Sequence, residues 1–205
     1  VANEKRSEML AKAKALSEKR KAAAPAIEKQ LIERLDYVKM PNTRFKIEYE
    51  AKKEPDATGM DAVRFIFSAN KNVPMQPVAE IASGGEISRL MLCLKAMIAG
   101  ATALPTIIFD EIDTGTSGEV ADRVGAVMKE MSGDMQVIGI SHLPQIASKG
   151  HVHFVVYKEE LADGVATRIK RLDPAERVTE IARMLSGAEV TSEAIENARV
   201  MLADG

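Results

Sequence analysis

Two short apolar runs constrain this chain more than anything else in it. Thr106-Ile107-Ile108-Phe109-Asp110-Glu111 and Gln136-Val137-Ile138-Gly139-Ile140-Ser141-His142 each hold one strand's length of apolar residues and end in polar side chains. Between them, Glu119 to Met131 repeats Val120, Val124, Val127, Met128 and Met131 at helical spacing. Strand, helix, strand, with each strand buried on both faces, is the pattern of a parallel βαβ unit. Adjacent parallel strands put their carboxyl ends on one sheet edge, where open α/β sheets bind ligands. Asp110, Glu111 and His142 are therefore expected to converge. An Asp at a strand end holds Mg2+ through water, a neighbouring Glu orients or deprotonates an attacking water, and a His across the site hydrogen-bonds a phosphoryl group as charge builds. Singly, each has a plainer use, Asp-Glu as a cap or solvated turn and His142 as a structural cap before Leu143-Pro144. Their joint spacing favours the chemistry.

A second element points the same way. Ser83-Gly84-Gly85-Glu86 runs straight into the helix-forming segment Leu90 to Ile98. Two glycines let backbone N–H groups approach an anion, and a helix start adds partial positive charge. Ser83 with Glu86 three residues on is equally an ordinary capping box. Arg89, one turn into this helix, reads as an exposed or ion-paired residue.

Residues 1 to 40 are Lys/Glu/Ala-rich, with Met9, Ala13, Leu16, Ile27, Leu31, Leu35 and Val38 at helical spacing. Pro25 starts a second helix or kinks a continuous one. Ten basic against six acidic residues over 1–39 read as a solvated helix face, or as the end of a coiled-coil arm near DNA. Arg44 to Glu50 alternates as a half-buried strand, with Val63 to Ser68 as its hairpin partner across a turn at Lys53 to Asp61. His151 to Tyr157 and Ala166 to Leu172 read as strands around Asp163-Gly164. Ala175 to Leu185 and Ser192 to Leu202 read as closing helices, Gly187 ending the first and Thr191 capping the second. His151 and His153 alternate on one strand, but no Cys/Asp/Glu pattern completes a metal site.

A net charge of −2 over 205 residues gives no global signal for nucleic acid or an anionic membrane. The one cysteine, Cys93, in an apolar run, reads as a buried small hydrophobe, and a chain without internal disulfides fits a reducing compartment. No apolar run approaches the ~18 residues of a membrane span. Val1 lies within a helix-forming segment, so the chain reads as a piece of something longer.

The motifs also carry a family resemblance. Ala82 to Arg89 resembles the signature motif of ABC-type ATPases, with Ala82 where other members commonly have Leu. Thr106 to Glu111 resembles a Walker B strand with its catalytic glutamate. Asp113, in Ile112 to Gly115, stands where the D-loop aspartate would, and His142, in Ile140 to Gln145, matches the switch histidine. With Glu180 to Leu185, the resemblance spans about residues 63 to 202 and is narrowest toward a bacterial DNA-repair branch of the SMC (structural maintenance of chromosomes) relatives.

That resemblance implies an α/β fold, the C-terminal lobe of an ABC/SMC-type P-loop ATPase head with a mostly parallel sheet flanked by helices. Residues 1–40 would be the end of the coiled-coil arm and 41–205 the lobe. It implies ATP and Mg2+ as cofactors: Asp110 serving Mg2+ through water, Glu111 the attacking water and His142 the γ-phosphate. Ser83, Gly84, Gly85 and Glu86 would face the nucleotide of a partner head, and Asp113 would couple the two sites. The implied partners are the N-terminal lobe of the same full-length chain, a second head across ATP, and DNA. The implied setting is cytoplasmic and nucleoid-associated, in double-strand break repair, with no membrane. No Gly-x-x-x-x-Gly-Lys-Ser/Thr occurs in these residues, so the phosphate cradle would lie on the other lobe and this piece alone would be inactive. The alternatives are a head lobe of another SMC-like or RecF-like ATPase, or a non-catalytic coiled-coil interaction module.

Overall fold

A single helix, α1 (Ala2–Tyr37), runs unbroken through Pro25. Of the two readings of that proline, the structure takes the continuous helix, at the cost of one backbone hydrogen bond. The computed structural model describes residues 2–81, 83–100, 104–161, 163–187 and 189–204. They fall into two compact units, Val1–Met97 and Ile98–Gly205. The first takes in α1 together with the hairpin that follows, along which α1 packs.

In the first unit α1 is followed by β1 (Arg44–Asp56), β2 (Gly59–Ser68), the two-residue strand β3 (Gln76–Pro77), a 3-10 turn (Val78–Glu80) and the start of α2 (Gly84–Ala99). β1 and β2 pair antiparallel from Arg44↔Ser68 to Ala51↔Asp61, and β3 adds to β2. Both main strands outrun their alternating segments, so the turn narrows to the residues around Thr58. There Lys52 and the Thr58 hydroxyl and N–H all donate to Asp56.

The buried stripe of α1 is Ala13, Ser17, Ala24, Leu31 and Leu35. Met9, Leu16 and Ile27, expected on that stripe, stand 42%, 38% and 36% exposed. The upper face uses small residues because polar bonds tie it to the hairpin. Ser17 donates to buried Asp61 at 3.0 Å, Arg20 to the Thr58 carbonyl at 2.9 Å, and the Tyr49 hydroxyl to the Arg20 carbonyl at 2.9 Å. Lower down, Leu31, Leu35, Val38, Phe45, Phe67, Leu90, Leu92 and Cys93 are buried.

The second unit contains β4 (Thr106–Asp110), α3 (Gly118–Met131), β5 (Gln136–Ile140), α4 (Pro144–Ala147), the hairpin β6 (Phe154–Leu161) and β7 (Gly164–Arg171), then α5 (Pro174–Ser186) and α6 (Ser192–Ala203). β4 and β5 pair in parallel from Thr106↔Gln136 to Asp110↔Ile140. Among the described residues, parallel pairing is confined to these two strands; the other pairs are antiparallel.

One face of the β4–β5 pair is covered. Phe109 is buried, and a Cβ at Gly139 would stand 2.6 Å from the Met128 tip of α3. The alternate residues Ile108, Ile138 and Ile140 are 62%, 41% and 53% exposed, against the expectation of strands buried on both faces. One face of the β6–β7 hairpin is likewise open and apolar, through Phe154, Val156, Val165 and Ile169.

α5 and α6 close on each other through Ile181, Ala182, Ala194 and Ala198. Asp173 and Glu176 form a capping box at the start of α5, Gly187 (φ 82°) ends it, and Thr191 accepts from Ala194 N–H to cap α6.

Candidate functional site

The parallel register sets the site. Asp110 is opposite Ile140, so the chain leaves β4 into Glu111 beside the point where it leaves β5 into Ser141-His142. Asp110 and Glu111 are exposed, and their carboxylates engage no hydrogen bond or ion pair among the described residues. Glu111 is held at φ 52°, a left-handed conformation that costs an L residue roughly 1–2 kcal/mol. The loop beyond secures it: the Thr114 N–H and hydroxyl both donate to the Glu111 carbonyl, at 3.2 and 2.9 Å. Thr116 repeats the device on the Asp113 carbonyl, at 2.9 and 2.8 Å. Strain at a braced, solvent-facing carboxylate is the kind found where a side chain must be aimed.

Asp113 does something the sequence did not indicate. Its carboxylate is turned inward, 2% exposed, and one oxygen gathers the start of the His142 segment. The Ser141 hydroxyl donates to Oδ2 at 2.6 Å and the His142 N–H at 3.0 Å. The His142 ring nitrogen Nδ1 lies 3.1 Å from the same atom. Ser141 Oγ in turn accepts from the Leu143 N–H at 3.0 Å. His142 itself stays open, its side chain 78% exposed. Ser141 was the residue missed as a participant; a hydroxyl between a buried strand and a candidate histidine was the available signal.

In the first unit, α2 begins at Gly84, with the Ile87 N–H bonded to the Ser83 carbonyl at 3.1 Å. Ser83 and Gly84 are exposed, and a Cβ at Gly84 would meet nothing within 4 Å. Gly85 and Glu86 are partly buried. Ala82 lies outside the described residues. Arg89 is partly buried rather than exposed, and its Nε has no hydrogen-bond partner among the described residues. Burial lowers its pKa.

The other candidates are structural in their contacts. Cys93 is fully buried, its thiol pushed up to about 12 by desolvation. Arg177 of α5 donates to the carbonyls of Gly150 and His151 and lies 3.3 Å from His153 Nε2. Among the described residues, no three His, Cys, Asp or Glu side chains gather to hold a metal by themselves. A carboxylate pair free of partners still suits Mg2+, which commonly takes one or two protein oxygens and fills its shell with phosphate and water.

No protein-family model matches the chain. Its fold does have solved counterparts. An SMC head domain with a coiled coil and joint from Pyrococcus yayanosii superposes with a TM-score of 0.60 at 19% identity, over 79% of this chain and 29% of that one. A chain from work on ATP-driven dimerization and DNA-stimulated activation of SMC ATPases matches at 0.52 and 19%, over 80% of this chain and 94% of that one. The fold is thus that of an α/β lobe of an SMC-type ATPase head.

The sequence narrows the class further. The DNA repair protein RecN of Rickettsia typhi is 42% identical over 187 residues, 91% of this chain, and RecN of Haemophilus influenzae 37% over 205 residues, 98% of it. The chain spans 34% and 37% of those two relatives, and it corresponds to a C-terminal part of RecN.

Proposed function

We propose that this lobe is one half of an ATP-hydrolysing head in a RecN-like protein of double-strand break repair. The observation that carries the reading is the free, exposed Asp110-Glu111 pair at the carboxyl end of a parallel strand, beside exposed His142 at the end of its neighbour. Asp110 offers a hard oxygen for Mg2+, and Glu111 has room to accept a proton from water. His142 offers a ring nitrogen to a phosphoryl oxygen, and Ser83, Gly84 and Gly85 offer a hydroxyl and open backbone to the nucleotide of a second head. ATP with Mg2+, when bound, supplies the electrophilic phosphorus and the counter-charge. Asp113 is turned into its own lobe, so any coupling across a head dimer runs through the loop rather than through direct reach of its carboxylate.

The chain has no lysine-bearing phosphate loop, so we assign that part to an N-terminal lobe of the full-length protein. The open apolar face of Ile108, Ile138 and Ile140 suits such a cover. By the same reading, DNA and a second head are partners of the whole protein, and its setting is the nucleoid-bearing cytoplasm. Among the described residues no helix is long and apolar enough to cross a membrane.

The test is ATP turnover with and without the N-terminal lobe, supplied in trans or fused. Activity that appears only on combination and vanishes in Glu111→Gln and Ser83→Arg supports the assignment. Turnover by the lone chain that Glu111→Gln abolishes would overturn its dependence on a second lobe. A folded fused head without turnover would overturn the ATPase reading.

A further inference from the structure

We propose that Asp113 is a positioning residue for His142, fixing which ring nitrogen carries the proton and which faces outward, with Ser141 locking the carboxylate in place. The proposal rests on the reading of His142 as the group that meets the nucleotide, but its geometry stands apart from it.

A carboxylate is an acceptor only. Oδ2 of Asp113 already receives the Ser141 hydroxyl and the His142 N–H, and Nδ1 of the same histidine lies 3.1 Å away. A bare Nδ1 lone pair against that oxygen would be repulsive, whereas an Nδ1–H would be drawn to it. The ring therefore carries its proton on Nδ1, and Nε2 is the atom left for solvent or ligand. The carboxylate side of the contact is buried, its side chain 1% exposed, while the imidazole is 78% exposed, so water screens the contact from the histidine side only.

Ser141 matters for a second reason. Its oxygen accepts from the Leu143 N–H while its hydroxyl donates to Asp113, so the backbone on both sides of His142 is tied to one anchor. That anchor lies two residues beyond Glu111, and the Asp113 carbonyl is itself held by Thr116. Displacing the loop after β4 thus displaces the ring at the end of β5.

The direct experiment is long-range 1H–15N NMR of the imidazoles in the isolated chain, with the His142 resonances assigned by His142→Gln. A neutral imidazole in water favours the proton on Nε2. We expect the Nδ1–H form to predominate in the unaltered chain and to give way to Nε2–H in Asp113→Ala. Predominant Nε2–H in the unaltered chain overturns the proposal. In the combined head, Asp113→Ala should lower kcat at least about tenfold with KM little changed, and Ser141→Ala should do so more weakly. Loss of turnover through KM alone would count against positioning. If the tautomer behaves as expected but His142→Gln leaves turnover intact, the positioning geometry holds and the nucleotide-facing role of His142 falls.

Discussion

Gly125 of α3 lies against Ile146 of α4 so closely that a Cβ on the glycine would stand 3.2 Å from the Ile146 Cα. The same Cβ would be 3.2 Å from the Gln145 carbonyl and 3.1 Å from the Lys149 side chain. Two of these neighbours are backbone and cannot rotate away. α4 starts two residues after His142, so its seat on α3 also fixes where that histidine emerges. Gly125→Val should destabilise by about 1–3 kcal/mol, as overpacking does. Denaturant unfolding checks it, and an unchanged midpoint would show that α4 shifts freely.

Glu111 offers a case where stability and activity separate. Its φ of 52° suits glycine, which has no Cβ to strain. Glu111→Gly should therefore be as stable as the parent or up to about 1 kcal/mol more so, while turnover by the combined head is lost. A variant less stable by more than about 1 kcal/mol would show that the side chain holds the loop rather than being held by it.

Cys93 predicts an alkaline limit. Burial raises its thiol from an ordinary 9.0 to about 12. The unfolded chain gives up this proton first, so rising pH favours unfolding. The contribution is fully present below 9.0 and is lost between there and about 12. Comparing unfolding of the parent and Cys93→Ala across that range isolates it. At neutral pH the thiol should resist alkylation until the protein is unfolded; prompt native labelling would contradict its burial.

His153 predicts the opposite limb. Burial, then the Arg177 charge, lowers its pKa below the ordinary 6.5. The folded ring stays neutral where the unfolded one is already protonated. Its contribution is present above 6.5 and declines as pH falls through and below that value. His153→Gln should flatten that part of the stability profile, and an unchanged slope would place the acid sensitivity elsewhere.

Periodicity and turn chemistry located the elements well. β5 was read at its observed bounds, and the Asp163-Gly164 turn, the Gly187 stop and the Thr191 cap follow from local rules that act within a few residues. What sequence could not supply was the partner of each surface. Ile108 and Ile138 look like core residues in a string of letters, yet both stand exposed, because a run of apolar letters does not show what packs on each face. Met9 and Leu16 fit a helical stripe, yet the face that meets the hairpin is the one carrying Ser17, because a buried carboxylate, Asp61, reaches it from 44 residues away. Asp113 was legible as a candidate and not as an anchor, since its two side-chain hydrogen bonds are to Ser141 and His142, 28 and 29 residues on.

The uncovered strands also bear on how the lobe behaves as a colloid. Among the described residues β4 and β5 form a two-stranded sheet with no further strand on either edge, and one of its faces is isoleucine-rich. Bare edges are templates for pairing with another molecule. A formal charge of −2 and an isoelectric point near 6.0 leave little repulsion to keep molecules apart. The isolated lobe should therefore be least soluble in mildly acidic buffer, and salt, by screening what repulsion there is, should worsen rather than cure it.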